Sequence, residues 1–133
     1  MYFVVARVIH TVKGIQSNEI DVDLYPQGYI VSHQGYNNND YESNINSSLK
    51  LVNINYQNFT LEFKSWNLQD QSCFDYLVIS YRTSRVQLCD VSRPLTMFIY
   101  NETKALLTFI TDDVKEDKGF ILLYNGEYVF KYR

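Results

Sequence analysis

Alanine is nearly missing from this chain, standing only at Ala6 and Ala105, and with five glycines, two prolines, two cysteines and two histidines the residues that punctuate, cross-link or ligate are scarce across 133 positions. The shortage of alanine, beside twelve tyrosines and eight phenylalanines, weighs against helices, because aromatic and β-branched side chains lose rotamer freedom on a helix and fit a pleated surface. Long apolar runs are missing too. Tyr2 to Ile9 is apolar but broken by Arg7, so it is too short to span a bilayer. With no basic stretch before it and no clear small-residue cleavage site after it, it also makes a poor signal peptide. A basic excess is lacking, the formal net charge being −3, which removes the field that attracts nucleic acid or an anionic membrane. Neither nucleic-acid binding nor membrane insertion is expected. Catalytic signatures are absent as well: there is no glycine-rich phosphate loop, Cys-x-x-Cys, His-Glu-x-x-His or Gly-x-Ser-x-Gly. His10 and His33 fall in the weak N-terminal segment and a long loop, where a solvated imidazole is the ordinary outcome.

What remains is a chain of one-domain size, 46% apolar and 16% aromatic, able to bury about two-thirds of its unfolded surface. Residues 1–19 read as an N-terminal segment, an extra strand or a tail, and 20–133 as a single β-sandwich. Ile20 to Leu24 alternates apolar and acidic residues, Pro26-Gln27-Gly28 supplies a turn, and Tyr29 to Ser32 resumes an extended run. From His33 to Ser48 polar residues dominate, giving a long ordered loop that Tyr36 and Tyr41 are expected to anchor. Over Leu49 to Tyr56 the set Lys50, Val52, Ile54 and Tyr56 carries more apolar surface than its alternate and is the expected inward face. Phe59, Leu61 and Phe63 alternate with Thr60, Glu62 and Lys64 in the clearest amphipathic strand, and Trp66 to Ser72 reads as a polar connection. Cys73 to Tyr81, Val86 to Cys89, Leu95 to Tyr100, Lys104 to Thr111, Phe120 to Tyr124 and a further run at Tyr128 to Phe130 complete an all-β pattern of short strands with regular turns, as in a sandwich.

The pattern is organised around Ser72 to Tyr81, where a cysteine and an aspartate precede the apolar strand Tyr76-Leu77-Val78-Ile79. A carboxylate at the mouth of such a strand must be solvated, paired or bound to a cation, since an unpaired buried charge costs several kcal/mol or neutralises. Cys73 and Cys89 are compatible with one disulfide or with two thiols, and spacing does not decide. The acceptor sequons at Asn46, Asn58 and Asn101 favour an oxidising, secreted setting.

Taken in order, Gly28-Tyr29-Ile30-Val31-Ser32, Tyr36 and Tyr41, Phe59 to Phe63, Cys73-Phe74-Asp75-Tyr76-Leu77-Val78-Ile79, Leu88-Cys89, Leu107 to Asp112, and Gly119-Phe120 with Tyr124 resemble the landmarks of a CUB domain over residues 28–124. The resemblance implies an antiparallel jelly-roll β-sandwich of the CUB and spermadhesin type. Cys73 and Cys89 match the second of the two family disulfides. The first pair is missing, with Ser47 at one of its positions and Leu49 in place of the usual tryptophan, and the spacing from cysteine to acidic residue is one shorter than usual. The chain thus resembles a divergent, one-disulfide member, as some nematode CUB-like proteins are.

In many CUB domains a Glu before the cysteine, the Asp after it and an Asp in a later Ser/Thr-Asp loop hold Ca2+, and the site offers acidic groups to a Lys or Arg of a protein partner. The last two positions resemble Asp75 and Asp112, and the first falls on Gln69 or its neighbour Asp70. Calcium takes about 6 to 8 oxygen ligands, so two carboxylates with an amide or displaced carboxylate, carbonyls and water make a weaker site. The plainer alternative gives Asp75 backbone hydrogen bonds and leaves Asp112 and Asp113 solvated. The resemblance implies a secreted, extracellular, non-enzymatic module that recognises a protein. The runner-up is a calcium-independent carbohydrate- or ligand-binding module of spermadhesin type, for which Trp66, Tyr76 and Tyr81 are candidate rings although core is their better reading. A glycosidase using Asp75 and Asp112 ranks third.

Overall fold

Among the described residues ten short strands form two sheets, and a core of buried apolar side chains lies between them. A computed structural model of the chain describes residues 2–6, 18–36, 38–55, 58–68, 73–82, 84–89, 95–113 and 117–127, with 2–6 as backbone alone. The strands are β1 (Tyr2–Ala6), β2 (Glu19–Asp21), β3 (Gln27–His33), β4 (Asn46–Val52), β5 (Asn58–Asn67), β6 (Tyr76–Tyr81), β7 (Ser84–Leu88), β8 (Leu95–Tyr100), β9 (Lys104–Ile110) and β10 (Gly119–Gly126). One sheet has the order β1-β3-β10-β5-β8 and the other β2-β4-β9-β6-β7. Pairing is antiparallel except at one edge of each sheet, where β1 lies parallel to β3 and β2 parallel to β4. No helix occurs among the described residues. The all-β sandwich expected from strand spacing is therefore the architecture observed. The run at Tyr128 to Phe130 lies outside the described residues.

The core is built by alternation. Leu77 and Ile79 of β6, Leu107 and Phe109 of β9, and Leu49 and Leu51 of β4 face Phe59, Leu61 and Phe63 of β5 and Phe120, Leu122 and Tyr124 of β10, all buried. Rings link the layers: Tyr41, Phe109 and Phe120 meet edge to face in turn, with centroids 5.2 and 5.3 Å apart, and Trp66 stacks on Phe120 at 5.1 Å. Burial of such rings in edge-to-face pairs adds to the area term that drives folding. Tyr124 donates its hydroxyl to the Tyr25 carbonyl at 2.6 Å, and burial pushes its pKa up to about 12.

Four local expectations are corrected. The inward residues are Leu49 and Leu51 of β4 and Asn53 just beyond it, whereas Ile54 stands 61% exposed in a turn. The strand ends at Val52, so apolar residues beyond it carry no facial information. Asn53 keeps a core position because its backbone N–H donates to Thr103 O at 2.9 Å and its side-chain amide, suitably oriented, donates to Glu102 O at 2.6 Å. The run from Ile20 stops at Asp21, whose carboxylate accepts from Asp23 N, while the Asp23 carboxylate accepts from Ile54 N and Asn55 N. Aspartates that satisfy backbone N–H groups favour turns over strands. His33 is 5% exposed at the end of β3, bonded through its ring to Ser32 Oγ and Asn39 O at 2.6 Å each. Trp66 and Asn67 continue β5 rather than opening a polar connection, and Trp66 donates its indole N–H to Cys89 O.

Gly119 shows why a glycine must precede Phe120. Its φ is +95°, and a Cβ there would collide with the Ser32 hydroxyl, which accepts from Phe120 N at 3.1 Å. Only a residue without a side chain allows β10 to start this close to β3.

Candidate functional site

At one rim of the sandwich, the chain enters β6 and leaves β9. The register pairs Tyr76 with Ile110, which sets Asp75, one residue before β6, beside Asp112, two residues after β9. The long loop joins them: Asn44 N donates to Asp112 O at 2.8 Å, and Thr111 N donates to Ile45 O at 2.9 Å. The Thr111 hydroxyl donates to Glu42 O and accepts from Ile45 N. Backbone groups of the loop are thereby satisfied, so a long connection lies ordered against the strand ends.

Asp75 has no exposed surface. Its Oδ2 accepts from the Tyr41 hydroxyl at 2.6 Å, and its Oδ1 accepts from Asp112 N at 2.9 Å. Burial raises the pKa of its carboxyl above the ordinary value of 3.8, the bonds from Tyr41 and the Asp112 backbone oppose that rise, and the nearby Asp112 carboxylate adds to it. Desolvation wins over hydrogen bonding. A carboxylic acid whose pKa rises on folding binds its proton more tightly in the folded chain, so stability is highest below the unfolded value and falls as pH rises through the folded value. Replacing Asp75→Asn keeps an acceptor for Asp112 N and reverses the other bond, the amide N–H donating to the Tyr41 hydroxyl oxygen. Without added metal, the variant is expected to lose that acid-range decline and to melt no lower than the parent at neutral pH, as thermal melts across pH 4 to 7 would read. A variant that melts well below the parent at pH 7 would mean that the ionised carboxylate stabilises the rim.

The expected pair Asp75 and Asp112 therefore does converge, while Gln69 and Asp70 lie outside the described residues. Among the described residues no three His, Cys, Asp or Glu side chains form a metal-holding group, and no cationic side chain pairs with Asp75. Each Asp75 oxygen carries two lone pairs, and the Asp112 side chain lies within hydrogen-bond reach of this carboxyl as well as its backbone N–H. Asp75 and Asp112 supply hard carboxylate oxygens of the type Ca2+ takes, but among the described residues they fall short of its about 6 to 8 ligands, so a site here needs oxygens beyond this pair. Sequence reasoning found Tyr41 as a loop anchor but missed its bond to Asp75. The signal for it was a tyrosine in the middle of a loop dominated by polar residues.

Cys73 and Cys89 form a disulfide with Cα atoms 5.3 Å apart. It ties the segment two residues before Asp75 to the end of β7. Of the sequon asparagines, Asn46 begins β4 and is exposed, Asn101 is exposed in the β8–β9 turn at φ +56°, and Asn58 is half-buried with its side-chain oxygen accepting from Asn101 N at 2.8 Å. Trp66 packs on Phe63 and Phe120 rather than lining an open site.

No family model matches the chain, and a search of curated proteins finds no match. Solved structures do match. The chain is similar to part of the full extracellular region of zebrafish Gpr126/Adgrg6, with a TM-score of 0.70 and 22% identity over 86% of this chain, which spans 15% of that region. It is similar to the MASP-1 CUB2 domain bound to Ca2+, with a TM-score of 0.66 and 20% identity over 75% of this chain and 92% of that one. Rat MASP-1 CUB1-EGF-CUB2 gives a TM-score of 0.71 and 16% identity over 86% of this chain and 44% of that one.

Proposed function

From a chain that has the fold of a CUB domain, we propose an extracellular binding module that recognises a protein partner at the rim carrying Asp75 and Asp112. Calcium assists by offsetting the charge of this acidic pair. The observation that supports the reading is the meeting of the pair at one rim, with Asp112 N donating to a carboxylate that has no exposed surface. The ion would be held by Asp75 and Asp112 with Gln69 or Asp70, and would supply fixed positive charge. The chain's own residues do the rest: Tyr41 and the Asp112 backbone orient the Asp75 carboxylate. Remaining acidic charge at the rim then receives a Lys or Arg of the partner through a charge-assisted hydrogen bond. The disulfide and the sequons at Asn46, Asn58 and Asn101 agree with a secreted setting.

Thermal melts with calcium and with chelator test this. An ion that binds only the folded chain adds about 2.7 kcal/mol at 100 times its Kd, a rise of several degrees for a domain of this size. Asp112→Ala keeps the backbone N–H that bonds Asp75 while removing one proposed ligand, so it is expected to abolish the calcium shift and to weaken binding of Lys- and Arg-containing peptides. An unchanged midpoint in the parent chain would remove the cation from the account.

A further inference from the structure

We infer that a polar pocket at the base of the long loop binds a single neutral sugar residue, at a site separate from the acidic rim. The pocket encloses about 200 Å³ and is lined by Tyr36, Asn38, Asn39 and Asp40 of the loop, Ser65 and Asn67 of β5, and Lys118 just before β10.

Its walls are built rather than incidental. Gly35, at φ +85°, opens a turn whose carbonyl accepts from both Asn38 N and Asn39 N, and buried His33 bonds Asn39 O at 2.6 Å. The opposite wall depends on a bulge. Phe63 pairs with Leu122 but Ser65 pairs with Ile121, so one extra residue is accommodated on β5. An extra residue reverses which side chains point inward, a device that re-aims side chains beside sites. Phe59, Leu61 and Phe63 are inward before the bulge, Trp66 packs on the core after it, and Ser65 and Asn67 line the pocket. Asn67 pairs with Gly119, which brings it next to Lys118.

The ligand class follows from what the lining offers. Three of the lining residues, Asn38, Asn39 and Asn67, carry side-chain amides, each both donor and acceptor, which suits adjacent hydroxyls that are donor and acceptor themselves. Tyr36 adds a ring for the apolar face of a sugar. One carboxylate, Asp40, and one ammonium, Lys118, balance each other, so no net field selects an anion or a cation. The volume is below the usual range for drug-sized ligands, about 300 to 1,000 Å³, and a single sugar ring suits it better than an extended peptide.

The test is saturation-transfer NMR of the full chain with galactose, mannose, glucose and N-acetylglucosamine, and with N-acetylneuraminic acid as the charged comparison, repeated in chelator. At least one sugar is expected to give a signal in chelator as well as in calcium, because the rim does not contribute. Asn67→Ala, which changes an exposed side chain at the end of a strand, is expected to weaken that sugar about tenfold, the worth of a lost hydrogen bond to a bound group, with an unaltered melting point. Asp112→Ala should leave sugar binding unchanged, so failure of the rim reading and failure of this one give different results. Absence of signal from every neutral sugar overturns the inference. So does equal binding by Asn67→Ala, or binding only of N-acetylneuraminic acid that is lost in Lys118→Met. Capture of peptides by the pocket in place of sugars would count against it as well.

Discussion

Replacing Cys73 and Cys89 together by serine is expected to lower the unfolding free energy by about 3 kcal/mol, the chain-entropy value for a closed loop of about 15 residues. The two cysteines are 16 positions apart and close the β6–β7 hairpin. Much of the stabilisation comes from restricting the unfolded chain in that account, so removing either sulfur alone should cost nearly as much as removing both. Denaturant titration checks the magnitude, and a thermal scan should show a fall of about 10 °C. The consequence reaches the rim. Cys73 sits at φ +56°, two residues before Asp75, and with the bridge gone nothing covalent holds that turn. Calcium and basic peptides should therefore bind the reduced chain more weakly than the oxidised one even where it remains folded. A loss below about 1 kcal/mol would mean that the hairpin is already closed in the unfolded ensemble.

What the sequence made legible follows from period and chemistry. The alternation of Phe59, Leu61 and Phe63 reads directly as an inward face because β5 is paired on both sides and its core-facing set is wholly apolar. Asp75 stood out as a carboxylate where burial is costly, and it is indeed buried and bonded. The parts that stayed hidden depend on partners distant in the chain. Asn53 looks like a surface residue until the carbonyls of Glu102 and Thr103 are found beside it. His33 looks solvated until Ser32 and Asn39 close over its ring. The bulge in β5 is a register difference against β10, and nothing in β5 by itself marks it. The parallel edge pairs β1 with β3 and β2 with β4 likewise have no local signature. Alternation reports which residues share a face but is silent on which strand lies next door.

Phe109→Ala is expected to be the most damaging single change, costing about 3 to 5 kcal/mol as a large buried ring replaced by a methyl leaves a cavity that neighbours only partly fill. Phe109 has no exposed surface, and its ring meets Tyr41 at 5.2 Å and Phe120 at 5.3 Å, both edge to face. It touches loop and facing sheet together, so relaxation around the cavity should displace Tyr41, whose hydroxyl orients Asp75. Tyr41→Phe provides the contrast, because it keeps the ring stack and removes only the oxygen. That variant leaves Asp75 Oδ2 buried without its donor, at a cost of about 1 to 3 kcal/mol. If the aromatic chain supports the rim, Phe109→Ala should weaken calcium binding although Phe109 carries no ligand atom, whereas Leu61→Ala, an equally buried change on β5, should destabilise the fold and leave the affinity of the folded chain unchanged. Calorimetric titration under conditions where each variant is still folded separates the two. Equal affinity in both would confine Phe109 to packing and leave Tyr41 positioned by its own loop.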